Sequence, residues 1–194
     1  ETNRRIVDVI SDVNMAYSEH ARRYLADTGL PRERTYVTGS PMAEVLHMNL
    51  EKIQKSNVLE RLGLEKDKYI LLSAHREENI DTEKNFLSLF TAVNKMAEKY
   101  DMPILYSCHP RSRKRLEQTG FRLDRRVIQH APLGFHDYNC LQMHAFCVVS
   151  DSGTLPEESS FFTSVGHPFP AVCIRTSTER PEAMDKGCFV LAGI

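Results

Sequence analysis

The sequence lacks an excess of charge of one sign, a long apolar run and a recognisable metal motif. Its formal net charge is −1 over 194 residues, so its bulk electrostatics predict neither a nucleic-acid partner nor an anionic membrane surface. Its apolar runs are only a handful of residues long, far short of a membrane span. A hydrophobic content of 41% is that of a globular chain, so we expect neither disorder nor attachment to a membrane.

The spacing of the cysteines and histidines argues against a metal site. The five cysteines are odd in number and form no C-x-x-C pair. Most lie in or beside apolar runs, so we predict small core side chains in a reducing cytoplasm, with a catalytic cysteine as the alternative. The eight histidines show no H-x-x-x-H or H-E-x-x-H spacing, so we predict no metal site. His130 and His136 flank one loop, but two histidines without a third ligand are weak support for a metal.

Short apolar runs alternate with helical patterns from about position 69 onward. We predict buried strands at 69–74, 103–106, 126–128, 145–149, 171–174 and 189–192. One intervening helix, after an imperfect cap at Thr82, carries Phe86, Leu89, Phe90 and Val93 at helical spacing. This alternation predicts an α/β fold with a doubly wound parallel sheet. Ligands of such sheets bind at the carboxyl ends of the strands.

The first forty residues follow a separate pattern. We predict short strands at 13–17 and 35–38, with a helix between them that is capped by Ser18. Gly39-Ser40-Pro41 is the best candidate for a domain boundary, which divides the chain into 1–40 and 41–194. The chain begins without a starting methionine, and we expect it to be a fragment of a longer polypeptide.

The segment 148–159 joins a predicted strand to a helix through Ser152, Gly153 and Thr154. We predict a capping box between Thr154 and Glu157, with unpaired backbone N–H groups aimed beyond the strand end. Such a helix start binds phosphate, and an ordinary capped helix is the alternative. Glu158 would repel a phosphate at the same spot, so we interpret it as facing the hydroxyls of a sugar.

Unusual side chains follow several other predicted strands. His75, His109 and Arg175 each come just after a strand, and Arg180 lies slightly further on. Arginine offers a planar fork for phosphate oxygens, and a histidine can move a proton near neutral pH. No G-x-G-x-x-G or Walker motif is present, which argues against the usual dinucleotide and nucleoside-triphosphate folds. We therefore predict a phosphate-bearing ligand with a hydroxylated sugar.

Plainer interpretations of these residues remain open. His109 with Pro110 can be only a turn, and Arg180 can pair with Glu179 or Glu182 on the surface. The basic run 111–115 is typical of a solvated helix face.

Taken together, these motifs resemble the C-terminal half of the non-hydrolysing UDP-N-acetylglucosamine 2-epimerase family. The matching pieces are collinear and cover nearly the whole chain: 36–39, 74–79, 108–110, 150–158 and 178–183. The resemblance implies a GT-B-like, two-domain enzyme. In that case 1–40 is the tail of the N-terminal domain with its connector, and 41–194 is a Rossmann-like, UDP-binding domain.

The resemblance also implies a role for each site residue. His75 would contact the substrate near its diphosphate and act in catalysis. The implied substrate-binding residues are Ser152, Gly153 and Thr154 on the diphosphate, Arg180 supporting it, Glu158 on the ribose and Tyr138 by the uracil. In relatives regulated by a second nucleotide sugar, Arg76 and His109 match residues of that neighbouring site. The implied reaction needs no cofactor and no metal, and relatives suggest a homodimer.

Two departures from the family pattern bear on the substrate. Glu77 stands where the family often has arginine, which reverses the local charge and puts a regulatory site in doubt. The segment 159–170 is longer than in typical members. These features most resemble the branch that converts UDP-2-acetamido-2,6-dideoxy-L-talose to UDP-N-acetyl-L-fucosamine for capsule or O-antigen synthesis.

Three other functions remain open as alternatives. The first is a UDP-GlcNAc to UDP-ManNAc 2-epimerase. The second is a GT-B glycosyltransferase, which shares the nucleotide-diphosphate half-domain. The third is a non-enzymatic nucleotide-sugar sensor.

The carboxylates that serve C2 in this family lie in the N-terminal domain, so we expect the chain alone to be inactive.

Overall fold

A computed structural model describes residues 2–193 of the chain. It divides into two compact units, Glu1–Val45 and Leu46–Ile194. This division falls inside a helix, a few residues after the Gly39-Ser40-Pro41 boundary that the sequence predicts. The assignment of the first unit to the tail of an N-terminal domain stays a prediction.

The first unit is a small parallel α/β arrangement. Its elements are α1 (Thr2–Ile10), β1 (Asn14–Ala16), α2 (Glu19–Asp27), a 3₁₀ turn (Arg32–Arg34) and β2 (Thr35–Val37). β1 pairs with β2 in parallel, with Asn14 opposite Thr35. Ser18 caps α2 as predicted, because its Oγ accepts a hydrogen bond from the backbone N–H of Ala21 at 3.2 Å. The sequence prediction contained no counterpart of α1.

The second unit alternates helices and strands. After α3 (Pro41–Gln54), which begins before the division, it contains α4 (Val58–Leu62), β3 (Ile70–Ser73), α5 (Glu77–Ile80), α6 (Glu83–Tyr100), β4 (Ile104–Ser107) and α7 (Pro110–Thr119). It continues with β5 (Val127–His130), α8 (Phe135–His144), β6 (Cys147–Ser150), α9 (Leu155–Ser164), β7 (Ala171–Cys173), α10 (Pro181–Asp185) and β8 (Val190–Leu191). All six predicted strands are present within one or two residues of their expected bounds.

The six strands form one parallel sheet in the order β5-β4-β3-β6-β7-β8. From β3 the chain proceeds through β4 to β5 at one edge of the sheet. It then returns to β6 beside β3 and proceeds through β7 to β8 at the other edge. This is the doubly wound order, and it confirms the predicted fold class. Ligands of such sheets bind at the carboxyl ends of the strands where the order reverses, which here is the junction of β3 and β6.

A continuous apolar core packs α6 against the sheet. Phe86, Phe90 and Val93 of α6 are fully buried and pack against strand residues such as Leu72 and Tyr106. Burying each such side chain contributes about 1.5–3 kcal/mol. The helical spacing in the sequence identified this buried face correctly. Thr82 makes no side-chain cap bond, in agreement with the imperfect cap that the sequence predicts.

Two short helices of the second unit were not predicted. α5 and α10 are only four and five residues long, too short for a hydrophobic period to show. Among residues 2–193, no helix combines the length and the apolar character that crossing a bilayer requires.

Candidate functional site

The candidate site lies where the strand order reverses. β3 and β6 are neighbours in register, with Ser73 opposite Ser150 at their carboxyl ends. The chain leaves β3 through His75 and Arg76 and leaves β6 through Asp151 and the Ser152 turn. Two segments that are about 75 residues apart in sequence therefore meet at one point.

Asp151 organises this meeting point. Its side chain is completely buried, and its Oδ2 accepts hydrogen bonds from the backbone N–H groups of His75 and Arg76, each at 2.9 Å. The Nδ2 of Asn79 donates to the same oxygen at 2.9 Å and to the carbonyl of Ile174 at 3.1 Å. His75 Nδ1 lies 3.1 Å from the other carboxylate oxygen, Oδ1. The sequence prediction missed Asp151 as a site residue, although its position directly after a buried strand was a usable signal.

Gly153 lies between two arginine side chains. A Cβ atom built on Gly153 would be 3.7 Å from Nη2 of Arg76 and 3.9 Å from Nη1 of Arg175. Arg76 is held by a hydrogen bond from its Nε to the carbonyl of Asp151 at 2.9 Å. Two guanidinium groups therefore approach the bare backbone of the turn, which suits an anion that comes close to it. The same Nη1 of Arg175 donates to Oε2 of Glu179 at 2.8 Å.

The predicted capping box between Thr154 and Glu157 is wrong. Thr154 has helical backbone angles, φ −90° and ψ −11°, and makes no side-chain cap bond, whereas a capping residue is typically extended. Its hydroxyl instead donates to Oε1 of Glu158 at 2.9 Å. The Ser152 and Thr154 hydroxyl oxygens are 2.9 Å apart, and the backbone N–H of Thr154 donates to Ser152 Oγ at 3.3 Å.

Glu158 lies in a buried polar pocket beside this turn. It is 7% exposed, and its Oε2 accepts a hydrogen bond from Nε2 of Gln142 at 2.7 Å. Burial raises the pKa of Glu158. Burial, followed by the nearby charge of Glu158, raises the pKa of Tyr138 to about 12, while hydrogen bonds to Ser73 and Ser150 act in the opposite direction. The structure thus brings Tyr138 within reach of the Glu158 charge, and Glu158 bonds to Thr154. The ribose and uracil roles implied for them stay predictions.

Arg175 and Arg180 each engage a carboxylate. Arg175 is 5% exposed and donates to both oxygens of Glu179, at 2.8 and 2.9 Å. Arg180 donates through Nε and Nη2 to Oε1 of Glu157, both at 3.0 Å, and through Nη1 to the carbonyl of Glu179. The sequence did not predict this pair with Glu157. Support of a diphosphate by Arg180 stays a prediction.

The two residues implied for a regulatory site, Arg76 and His109, lie in different surroundings. Arg76 belongs to the site described above. His109 is the N-cap of α7, where its Nδ1 accepts from the backbone N–H of Arg111 at 3.3 Å, so it begins a helix and is more than the simple turn that the sequence left open. Glu77 is exposed, with its carboxylate 3.6 Å from Nη1 of Arg111, whose Nη2 also pairs with Asp81. A regulatory role for Arg76 and His109 stays a prediction.

Three of the five cysteines are buried, in agreement with the prediction that most of them are core side chains. Cys108, Cys140 and Cys173 are buried, and burial is the main cause that raises the thiol pKa of each. Burial also raises the pKa of Cys147 to about 11, which disfavours the reactive thiolate. Within residues 2–193, no three acidic, histidine or cysteine side chains are grouped so that they could hold a metal ion.

The Arg175–Glu179 pair makes a testable contribution to stability. Hydrogen bonding to Arg175 lowers the pKa of Glu179 from its ordinary 4.5 to about 2. Because the folded-state pKa is the lower one, the stability from this pair is present above pH 4.5 and is lost as the pH falls toward 2. We expect the urea midpoint to fall less steeply between about pH 5 and about pH 3 in Glu179→Gln than in the wild type. Glu65→Gln, which alters an exposed pair with Lys68, is the control. Equal slopes in Glu179→Gln and the wild type would contradict the assignment.

Comparison with known proteins identifies the family. The family model for UDP-N-acetylglucosamine 2-epimerase matches residues 1–194. The chain belongs to this family. A UDP-N-acetylglucosamine 2-epimerase of Methanococcus maripaludis is 30% identical over 202 residues, which is 100% of this chain and 53% of the relative. The chain thus spans about half the length of the curated relatives it matches.

Solved structures of UDP-N-acetylglucosamine 2-epimerases share the fold. The Rickettsia bellii protein superimposes with a TM-score of 0.84 at 41% identity, over 99% of this chain and 50% of that one. The Methanocaldococcus jannaschii enzyme in complex with UDP-GlcNAc and UDP gives a TM-score of 0.88 at 29% identity, over 100% of this chain and 53% of that one. These epimerases confirm the family that the sequence motifs predict and the GT-B-like fold class.

Proposed function

We propose that this chain supplies the diphosphate-binding half of a UDP-N-acetylhexosamine 2-epimerase. The observation that carries the proposal is the position of Gly153, whose bare backbone lies close to the guanidinium groups of both Arg76 and Arg175. The hydroxyls of Ser152 and Thr154 lie at the same turn and would donate to a diphosphate in exchange for their present bonds to each other and to Glu158. A diphosphate with several oxygens matches two planar cations and a row of donors.

The reaction proposed for the whole enzyme is an elimination followed by re-addition. A base removes the proton from C2 of the sugar, the C1–O bond to UDP breaks, and a glycal-like intermediate forms. UDP then adds back to C1 while a proton is delivered to the opposite face of C2. Negative charge develops on the leaving diphosphate, and fixed donors that are already oriented toward it stabilise that charge most effectively. The Gly153 turn and its two arginines would supply such donors.

Glu158 and Tyr138 suit the nucleoside rather than the phosphates. A buried carboxylate repels a phosphate but accepts hydrogen bonds from sugar hydroxyls, which also compensate for its burial. Glu158 already accepts a hydrogen bond from a protein hydroxyl, that of Thr154, at 2.9 Å. We propose that the ribose hydroxyls bind there and that the uracil lies near Tyr138.

UDP-GlcNAc is the substrate that the relatives support best. The M. jannaschii and Neisseria meningitidis 2-epimerase structures hold UDP-GlcNAc. The 6-deoxy-L-talosamine sugar of the fucosamine pathway is the second candidate. Two features favour it: the acidic Glu77 in place of a family arginine, and the long segment 159–170. A cytoplasmic, homodimeric enzyme without a cofactor is the corresponding proposal for the whole protein.

Deuterium incorporation at C2 tests the function. We expect the full-length enzyme in D₂O to invert C2 of UDP-GlcNAc and to place deuterium there, as read by proton NMR, with the 6-deoxy-L-talosamine sugar in a parallel reaction. Lys55→Ala, at an exposed pair with Glu51, is the matched control and should behave as wild type. The isolated 194-residue chain should give no exchange.

Two other outcomes would overturn the proposed function. Transfer of the sugar to an acceptor with release of UDP, but without deuterium at C2, would indicate a glycosyltransferase. Tight UDP binding without any turnover by the full-length protein would indicate a sensor.

A further inference from the structure

One atom at the centre of the site has an unusual environment. Oδ1 of Asp151 is buried, and no described residue makes a hydrogen bond of good geometry to it. Nδ1 of His75 lies 3.1 Å from it. A buried carboxylate oxygen without a donor is costly, and a proton on this ring nitrogen would provide the missing partner.

The rest of Asp151 is held in place independently of that ring. Its Oδ2 accepts three N–H donors at 2.9 Å, from the His75 and Arg76 backbone and from Asn79. Such convergent donors hold the carboxylate in one orientation. The His75 ring is half exposed, whereas Asp151 is fully buried. The carboxylate is thus the fixed partner and the imidazole is the one that adapts.

We propose that Asp151 is a positioning residue that fixes the tautomer of His75. In neutral His75 the proton is on Nδ1, facing Oδ1, and the lone pair is on Nε2. A histidine in this form can accept a proton at Nε2 or, once protonated, donate from Nε2 to a developing oxyanion. What Nε2 does to the substrate rests on the proposed function, whereas the tautomer itself does not.

Asp151→Asn replaces the acceptor that faces His75 Nδ1 with a donor, and it can preserve the three hydrogen bonds to the other oxygen. The Asn carbonyl oxygen can occupy the place of Oδ2 and accept from the same N–H donors. Its NH₂ group then faces His75 Nδ1 as a donor. Nδ1 must become the acceptor, so the ring proton is expected to move to Nε2. A purely structural role for Asp151 predicts no such exchange of tautomers.

The test is ¹⁵N NMR of the full-length protein with labelled histidine at about pH 8.5, where an ordinary imidazole is neutral. We expect the Nδ1–H form of His75 in the wild type and the Nε2–H form in Asp151→Asn. His144 is an internal control, because its Nδ1 lies 2.8 Å from the carbonyl of Cys140, and its tautomer should not change. In the same pair of proteins, kcat should fall about 10–100-fold, while KM stays within about threefold.

Each outcome decides the proposal. An Nε2–H form of His75 in the wild type overturns it, and this measurement stands even if Asp151→Asn does not fold. An unchanged tautomer in a folded Asp151→Asn protein overturns it as well, and so does an exchanged tautomer with unchanged kcat. If the wild type epimerises neither UDP-sugar, the proposed function fails, but the NMR arm still decides whether Asp151 sets the tautomer.

Discussion

Gly153→Ala in the full-length enzyme is expected to raise KM for the UDP-sugar roughly 100-fold, which corresponds to about two lost charge-assisted contacts of about 1.5 kcal/mol each. The added methyl would be 3.7 and 3.9 Å from the Arg76 and Arg175 guanidinium groups. These are ordinary contact distances, so the fold should tolerate the substitution. The same methyl occupies the space between the two cations, where phosphate oxygens would have to approach.

Gly120→Ala is the control for Gly153→Ala, because it should lower stability without changing KM. Gly120 ends α7 with a φ of +63° and has no atom within 4 Å of an added Cβ. Alanine there should cost about 1 kcal/mol of stability through backbone strain and leave KM unchanged. The measurements are steady-state kinetics and thermal unfolding of both variants. A Gly153→Ala enzyme with wild-type KM would show that the diphosphate does not approach this turn.

The sequence predicted the fold well because the signals it depends on are local. Buried strands such as Ile70–Ser73 are apolar runs bounded by polar turns, and α6 shows its buried face in the spacing of Phe86 and Phe90. The parallel order then follows from the alternation of strands and helices. The same reasoning located the Ser152 turn, because ligand sites of such sheets follow strand ends.

The details that the sequence missed depend on contacts between distant residues. The role of Asp151 arises from donors on His75, Arg76 and Asn79, all more than 70 residues away in the chain. In place of the capping box, the Thr154 hydroxyl donates to Glu158 and Glu157 pairs with Arg180, 23 residues further on. Neither pairing leaves a periodic or local signature, so the capping residues alone favoured a different hydrogen-bond pattern.

His75→Gln in the full-length enzyme is expected to lower kcat roughly 10³-fold, within the range that a positioned acid or base contributes, while KM changes by only a few-fold. Glutamine keeps a polar group of similar reach but cannot exchange a proton near neutral pH. The backbone N–H at position 75 still donates to Asp151, so the loop should keep its conformation. Deuterium exchange at C2 and kcat, measured side by side, show whether the proton-transfer step is the one affected.

The double variant His75→Gln with Asp151→Asn separates a joint role from two independent ones. If Asp151 acts through His75, removing its charge costs nothing further once the imidazole is gone, so kcat of the double variant should equal that of His75→Gln within about threefold. Independent contributions would instead multiply, and the double variant would lose the product of the two single effects. A loss of kcat equal to that product would show that Asp151 acts independently of His75, for example by holding the Gly153 turn. A loss equal to that of His75→Gln alone would assign the effect of Asp151 to the imidazole 3.1 Å away.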